Sequence, residues 1–178
     1  MKNESVTIRS SIDSQVMKRA LIKGTLWGGL GGLLLLIGGI FLPLQEMKIW
    51  GALLFIFSFG LITYGLLPYK RLRRLEENPD QLTMEDNWLH FLVRGKLLFS
   101  IPVESIDHLE WIDSNGRDSN GNVYGIKVFL KNPLSKKVII QSPKFDFAKF
   151  RQDSLKKYQS DLFFPYFSKR SFLSLNNF

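Results

Sequence analysis

The chain has 178 residues, with 24 Lys and Arg against 16 Asp and Glu, a formal net charge of +8, two histidines and no cysteine. Without cysteine there is no disulfide, no thiolate zinc site, no Cys-ligated iron–sulfur cluster and no cysteine nucleophile. The length leaves room for one small domain of about 100 residues beside any membrane segment.

Residues 1–23 form a short polar lead ending in Lys18, Arg19 and Lys23, and are expected to stay in the cytoplasm. Two uncharged apolar runs follow, Gly24 to Gln45 and Ile49 to Tyr69, separated only by Glu46, Met47 and Lys48. About 20 helical residues cross roughly 30 Å of hydrocarbon, so residues 24–69 predict a two-helix transmembrane hairpin. The first run follows 23 residues, exceeds the apolar core of a secretory signal and lacks a small-x-small cleavage site, so it reads as a retained span. Neither run holds an ionisable residue, which argues against transport and for an anchor.

Lys70, Arg71, Arg73 and Arg74 follow the second run and open a basic juxtamembrane helix, residues 70–80. Loops rich in Lys and Arg resist translocation, so both ends of the hairpin are expected in the cytoplasm, with Pro43 to Lys48 on the far side. The same four cations can touch anionic lipid headgroups, each contact worth at most about 1 kcal/mol, although a stop-transfer flank needs no such role. Trp50 and Tyr69 suit interfacial anchoring. Gly24, Gly28 and Gly32 recur every four residues and would line one helix stripe. Such a stripe suits either a homo-oligomer or partner interface, or packing against the second span through Gly51, Gly60 or Gly65.

From Gln81 the period shifts towards two. Gln81 to Met84, Trp88 to Arg94 and Leu97 to Ile101 read as strands, joined by turns at Glu85-Asp86-Asn87 and Gly95-Lys96. Ile106 to Asp113 continues the sheet with Ile106, Leu109 and Trp111 inward, and a polar loop follows at Ser114 to Asn122. Tyr124 to Leu130 and Lys137 to Gln141 are expected to pair as a hairpin across Asn132-Pro133. Asp146 can cap a helix from Phe147 to Leu162 that closes the sheet. Residues 163–178 show no sustained period and predict a loosely docked or disordered tail.

The paired spans, the basic helix, Leu82-Thr83-Met84, the Gly95-Lys96 turn and Ile101-Pro102-Val103-Glu104-Ser105-Ile106 resemble bacterial pleckstrin-homology-like membrane proteins, including the YcxB-like group. Tyr124-Gly125-Ile126, Val138-Ile139-Ile140 and the Phe147 helix fit the same layout, so the resemblance covers about residues 15–162. It implies an α+β membrane protein of the bacterial inner membrane, whose hairpin carries a small antiparallel β domain, residues 81–162, capped by a C-terminal helix. The Ser114 to Asn122 loop and the aromatic tail depart from that layout.

The search for chemistry returns little. His90 and His108 lie in expected strands without ligand-spaced neighbours and read as structural. Glu104, Asp107 and Glu110 recur every third residue, but side chains alternate faces along a strand, so they do not converge. The oxygen-rich Asp113 to Gly121 segment lacks the closing glutamate of a calcium loop, because Tyr124 stands at that position. Lys136, Lys137, Lys144, Lys149, Lys156 and Lys157 make the distal half basic, yet no nucleic-acid recognition element accompanies them. No enzyme, cofactor or metal is expected. The expected role is a non-catalytic membrane scaffold that presents its domain to a protein partner. The alternatives are an Inc-like protein of a host vacuole membrane, which shares the paired-span layout, and a sensor of anionic lipid headgroups.

Overall fold

In the computed structural model, residues 5–41, 47–113, 123–131 and 138–176 are described. The chain is α+β: two long apolar helices near the N-terminus precede antiparallel sheets and C-terminal helices. It divides into two compact units, a helical unit Ile12–Leu75 and a β unit made of Met1–Ser11 with Glu76–Phe178. In sequence, the helical unit is thus an insertion behind the first strand of the β unit.

The helical unit holds α1 (Ser14–Phe41), a π-helical turn (Met47–Gly51) and α2 (Ala52–Glu77). Asp13 starts α1, its carboxylate accepting the Gln15 N–H at 2.8 Å, one of the amide groups that a helix start leaves without an internal partner. α2 runs through Pro68 without a break, so the second apolar run and the basic residues after it belong to one helix. It stops at Glu77 because Pro79 disfavours helical geometry at Asn78. Pro43 to Gln45 and Glu46 of the expected turn lie outside the described residues.

The β unit contains two antiparallel sheets. A five-stranded sheet has the order β1-β2-β3-β4-β7, from β1 (Val6–Arg9), β2 (Gln81–Glu85), β3 (Trp88–Val93), β4 (Lys96–Pro102) and β7 (Ile139–Ile140). A three-stranded sheet has the order β5-β6-β8, from β5 (Ile106–Ile112), β6 (Gly125–Leu130) and β8 (Leu162–Pro165). The β2–β3 and β3–β4 connections are two-residue turns, Asp86-Asn87 and Arg94-Gly95, all four with φ between +50° and +73°. That geometry matches the twist of the strands it joins, and it moves the second turn one residue ahead of Gly95-Lys96. Two helices complete the unit: α3 (Phe147–Tyr158) packs on β8, and α4 (Lys169–Asn176) packs on β1 and β5.

The core is aromatic. Phe99 is fully buried, with its ring 5.1 to 6.3 Å from those of Phe91, Phe145, Phe147, Phe150 and Phe164. Ile106 is buried, and Leu109 and Trp111 pack partly buried against the core; the register shift between Ile106 and His108 lets residues three apart share that face.

Several expectations need correction. Residues 1–23 are not merely a lead, since Val6–Arg9 pairs with Gln81–Met84 as the edge of the larger sheet. The strand around Ile139 does not pair with β6; it pairs with β4, Phe99 opposite Ile140, while β6 lies between β5 and β8. The capping helix ends at Tyr158, where Gln159 takes a left-handed conformation, rather than at Leu162. The stretch from residue 163 is not a loose tail. Phe163, Phe164, Phe167 and Leu175 are buried, because Leu162-Phe163-Phe164 completes the smaller sheet and α4 packs on β1 and β5.

Candidate functional site

The seam of the hairpin is built from small residues seven apart. Gly24, Gly31 and Gly38 are the buried residues of α1, and Ser58 and Gly65 those of α2. A Cβ on Gly31 would stand 2.7 Å from the Ser58 carbonyl oxygen, and one on Gly65 would stand 3.1 Å from the Gly24 carbonyl oxygen. A Cβ on Gly38 would meet a Leu54 methyl at 2.6 Å. Glycine therefore lets the two backbones touch where any side chain would hold them apart. Of the expected Gly24, Gly28 and Gly32 stripe, Gly24 belongs to this seam, whereas a Cβ on Gly28 or Gly32 meets nothing within 4 Å. Seven residues make nearly two helical turns, so the longer spacing stays on one line where the four-residue spacing drifts off it.

Trp27 and Tyr64 meet edge to face at 5.7 Å, with Lys23 Nζ 5.0 Å above the Tyr64 ring. An apolar cleft of about 540 Å³ opens between α1 and α2, lined by Leu34, Ile37, Phe41, Trp50, Leu53 and Phe57 among others. Outside the seam both helices expose large apolar side chains, Ile40 at 74% and Phe41 at 77% on α1, and Ile56 at 67% on α2. By length and composition both helices can cross a membrane. Lys70, Arg71, Arg73 and Arg74 are all exposed on the last turns of α2, as are Lys18 and Arg19 near the start of α1.

The β unit brings few reactive groups together. His90 and Ser100 face each other across β3 and β4, with Nδ1 2.7 Å from Oγ. His108 lies in the other sheet, 2.7 Å from the Asp107 carboxylate, its ring stacked 4.3 Å from Phe129. Glu110 stands opposite Lys127, and Glu104 lies in the 3-10 turn Val103–Ser105, so the three carboxylates occupy separate surroundings. Among the described residues, no group of three or more His, Asp or Glu could hold a metal ion. Lys144, Lys149, Lys156 and Lys157 are exposed. Ser114 to Asn122, Lys136 and Lys137 lie outside the described residues. Asp161 is a structural carboxylate: Arg151 donates to Oδ1 through Nε at 3.0 Å and Nη2 at 2.8 Å, while Oδ2 accepts the Leu130 N–H at 3.0 Å.

A polar cluster that the sequence reading missed lies where the helical insertion begins and ends. The Ser10 N–H donates to the Asp80 carbonyl at 2.8 Å, and the Asp80 N–H donates to Ser10 Oγ at 2.9 Å. Next to it, the Ser11 N–H donates to the Tyr166 carbonyl at 2.8 Å and the Tyr124 hydroxyl donates to the Ser11 carbonyl. Asp80 is only 8% exposed, and its Oδ1 is buried without a hydrogen-bond partner among the described residues. Burial raises its pKa to about 6, against the smaller opposing pull of the Arg94 charge. Burial also raises the Tyr166 pKa, and the neighbouring Tyr158 and Tyr124 phenols add to that rise. The signal for this cluster was the β-branched alternation Val6-Thr7-Ile8, which marks a strand whose end reaches Asp80.

Compared with family models, curated proteins and solved structures, the chain matches none.

Proposed function

We propose that this chain is a membrane-anchored, non-catalytic scaffold that displays its β unit in the cytoplasm to a protein partner. The observation that carries the anchor is the uncovered apolar exterior of α1 and α2 around a glycine seam, followed on α2 by Lys70, Arg71, Arg73 and Arg74. In water such a surface would drive aggregation; in lipid it is solvated, and the glycine contacts hold the pair together. The Lys and Arg residues at both ends of the insertion support placing those ends in the cytoplasm. The pleckstrin-homology-like reading draws support from two antiparallel sheets with a closing C-terminal helix, and β8 after α3 is a departure from that layout. The scaffold reading draws support from the separate surroundings of His90, His108, Glu104 and Glu110 in the β unit.

Because the chain has no cysteine, single engineered cysteines report topology without background. Labelling with an impermeant thiol reagent is expected to reach Glu46→Cys from the far side of the membrane, and Ser11→Cys or Lys169→Cys only from the cytoplasm. Labelling of all three in intact cells would remove the anchor reading. For the scaffold, crosslinking from Trp88 and Ile139, which share an exposed cleft with Val103 and Glu104, is expected to capture one protein species in stoichiometric yield. Capture of lipid alone would reject the scaffold and transfer the role to headgroup sensing.

A further inference from the structure

We propose that Ser10 and Asp80 form a proton-operated clasp that holds β1 on the edge of the larger sheet when the Asp80 carboxyl is protonated and loosens it when the carboxyl is ionised. The geometry is a reciprocal pair. Each residue donates its backbone N–H to the other, Ser10 to the Asp80 carbonyl at 2.8 Å and Asp80 to Ser10 Oγ at 2.9 Å. Both residues are buried, at 7% and 8% exposure. The pair sits at the end of β1, opposite the first residue of β2, where Arg9 stands across from Gln81. Closing the pair therefore seats the strand, and opening it frees the strand from its end.

The carboxyl is the sensitive part. Its Oδ1 is buried with no hydrogen-bond donor among the described residues, so ionisation puts negative charge on an oxygen that only the charge of Arg94 opposes, without a hydrogen bond. A protonated Asp80 carries no such charge, which is why burial lifts its pKa to about 6, into the range where physiological changes act. The charged and titratable groups on the elements meeting there are Arg9 on β1, Glu76 and Glu77 at the end of α2, Arg94 in the β3–β4 turn, and the phenols of Tyr124 and Tyr166. Arg94 is the one whose charge bears on Asp80, and its pull is smaller than the effect of burial.

β1 suits release. It has four residues, one neighbour in the sheet and a single buried side chain, Ile8, and α4 is the helix packed on it. Its departure uncovers the backbone of β2 from Gln81 to Met84, an unpaired edge of the kind that accepts an added strand. Acid thus keeps the edge covered, and rising pH makes it available.

Hydrogen exchange of the full chain in detergent micelles tests this, read at the amides of residues 6–10 from about pH 5 to about pH 8 and corrected for intrinsic exchange at each pH. Protection is expected to fall by at least about tenfold as the pH rises through the Asp80 titration, while amides of β3 and β4 hold steady. Asp80→Asn should abolish the pH dependence, and Ser10→Ala should lower protection at every pH. A wild-type profile that stays flat would overturn the clasp, as would an unchanged dependence in Asp80→Asn. If Asp80→Asn fails to fold, the wild-type profile and Ser10→Ala decide: a flat wild-type profile, or full protection in Ser10→Ala, overturns it.

Discussion

At the scale of single residues, Asp80, Phe99 and Gly125 show how burial turns local chemistry into stability. The folded state holds the Asp80 proton up to about pH 6, whereas the unfolded chain releases it in the ordinary carboxylate range. Between those limits the folded state binds more protons, so stability contributed by this group falls as the pH rises and levels off above the folded pKa. The raised pKa corresponds to about 3 kcal/mol. Urea unfolding of wild-type and Asp80→Asn protein in micelles should show wild-type losing stability relative to the variant from about pH 4 to about pH 7; parallel curves would contradict the assignment. Phe99 is fully buried among five rings, so Phe99→Ala should cost about 4 kcal/mol, measured by the same unfolding. Gly125 is needed for a different reason: a Cβ there would collide with the Phe164 carbonyl oxygen and press on Pro165 Cα at 3.0 Å. Both obstacles are backbone atoms, which cannot rotate aside as a side chain would.

At the scale of elements, helix pairing and strand closure each give a contrast within one experiment. Gly31→Leu should force α1 from α2 and destabilise the hairpin by about 1 to 3 kcal/mol, because its Cβ would meet the Ser58 carbonyl at 2.7 Å. Gly28→Leu, with nothing within 4 Å, should leave the pairing intact. Disulfide trapping between cysteines placed across the seam reads both, and equal losses in the two variants would contradict the seven-residue register. In the β unit, Asp161 joins α3 to β6 through Arg151 and the Leu130 N–H. Asp161→Ala removes the carboxylate that accepts from both the largely buried Arg151 guanidinium and the Leu130 N–H, an expected loss of about 2 to 4 kcal/mol by thermal unfolding. The short strand β7 pairs with β4 at Phe99 and Ser100, and the Gln141 N–H that follows it donates to the Leu98 carbonyl at 2.9 Å.

At the scale of the whole molecule, the β unit depends on the two ends of the described chain. β1 precedes the helical insertion, while β8 and α4 come after every strand that local pattern revealed. Truncation after Asp161 removes Leu162, Phe163, Phe164, Phe167 and Leu175 from the core, and is expected to leave a protease-sensitive β unit without a cooperative unfolding transition. A truncated chain that still unfolds cooperatively would show that β8 and α4 are accessories. The sequence by itself determined the elements whose signal is local: two uncharged runs long enough to be apolar helices, the Asp146 cap, which accepts the Lys149 N–H at 2.9 Å, and the β2, β3 and β4 meander with its tight turns. Only the tertiary structure decided which distant segments join them. Residues 6–9 and 162–165 are too short to show a sustained period, and they become strands because each finds a complementary edge more than thirty residues away in sequence. The same holds for the helix seam and for the Ser10 and Asp80 pair. Spacing along one helix cannot tell which glycine faces a partner backbone, and a buried carboxyl is made by residues that meet only when the chain returns from its insertion.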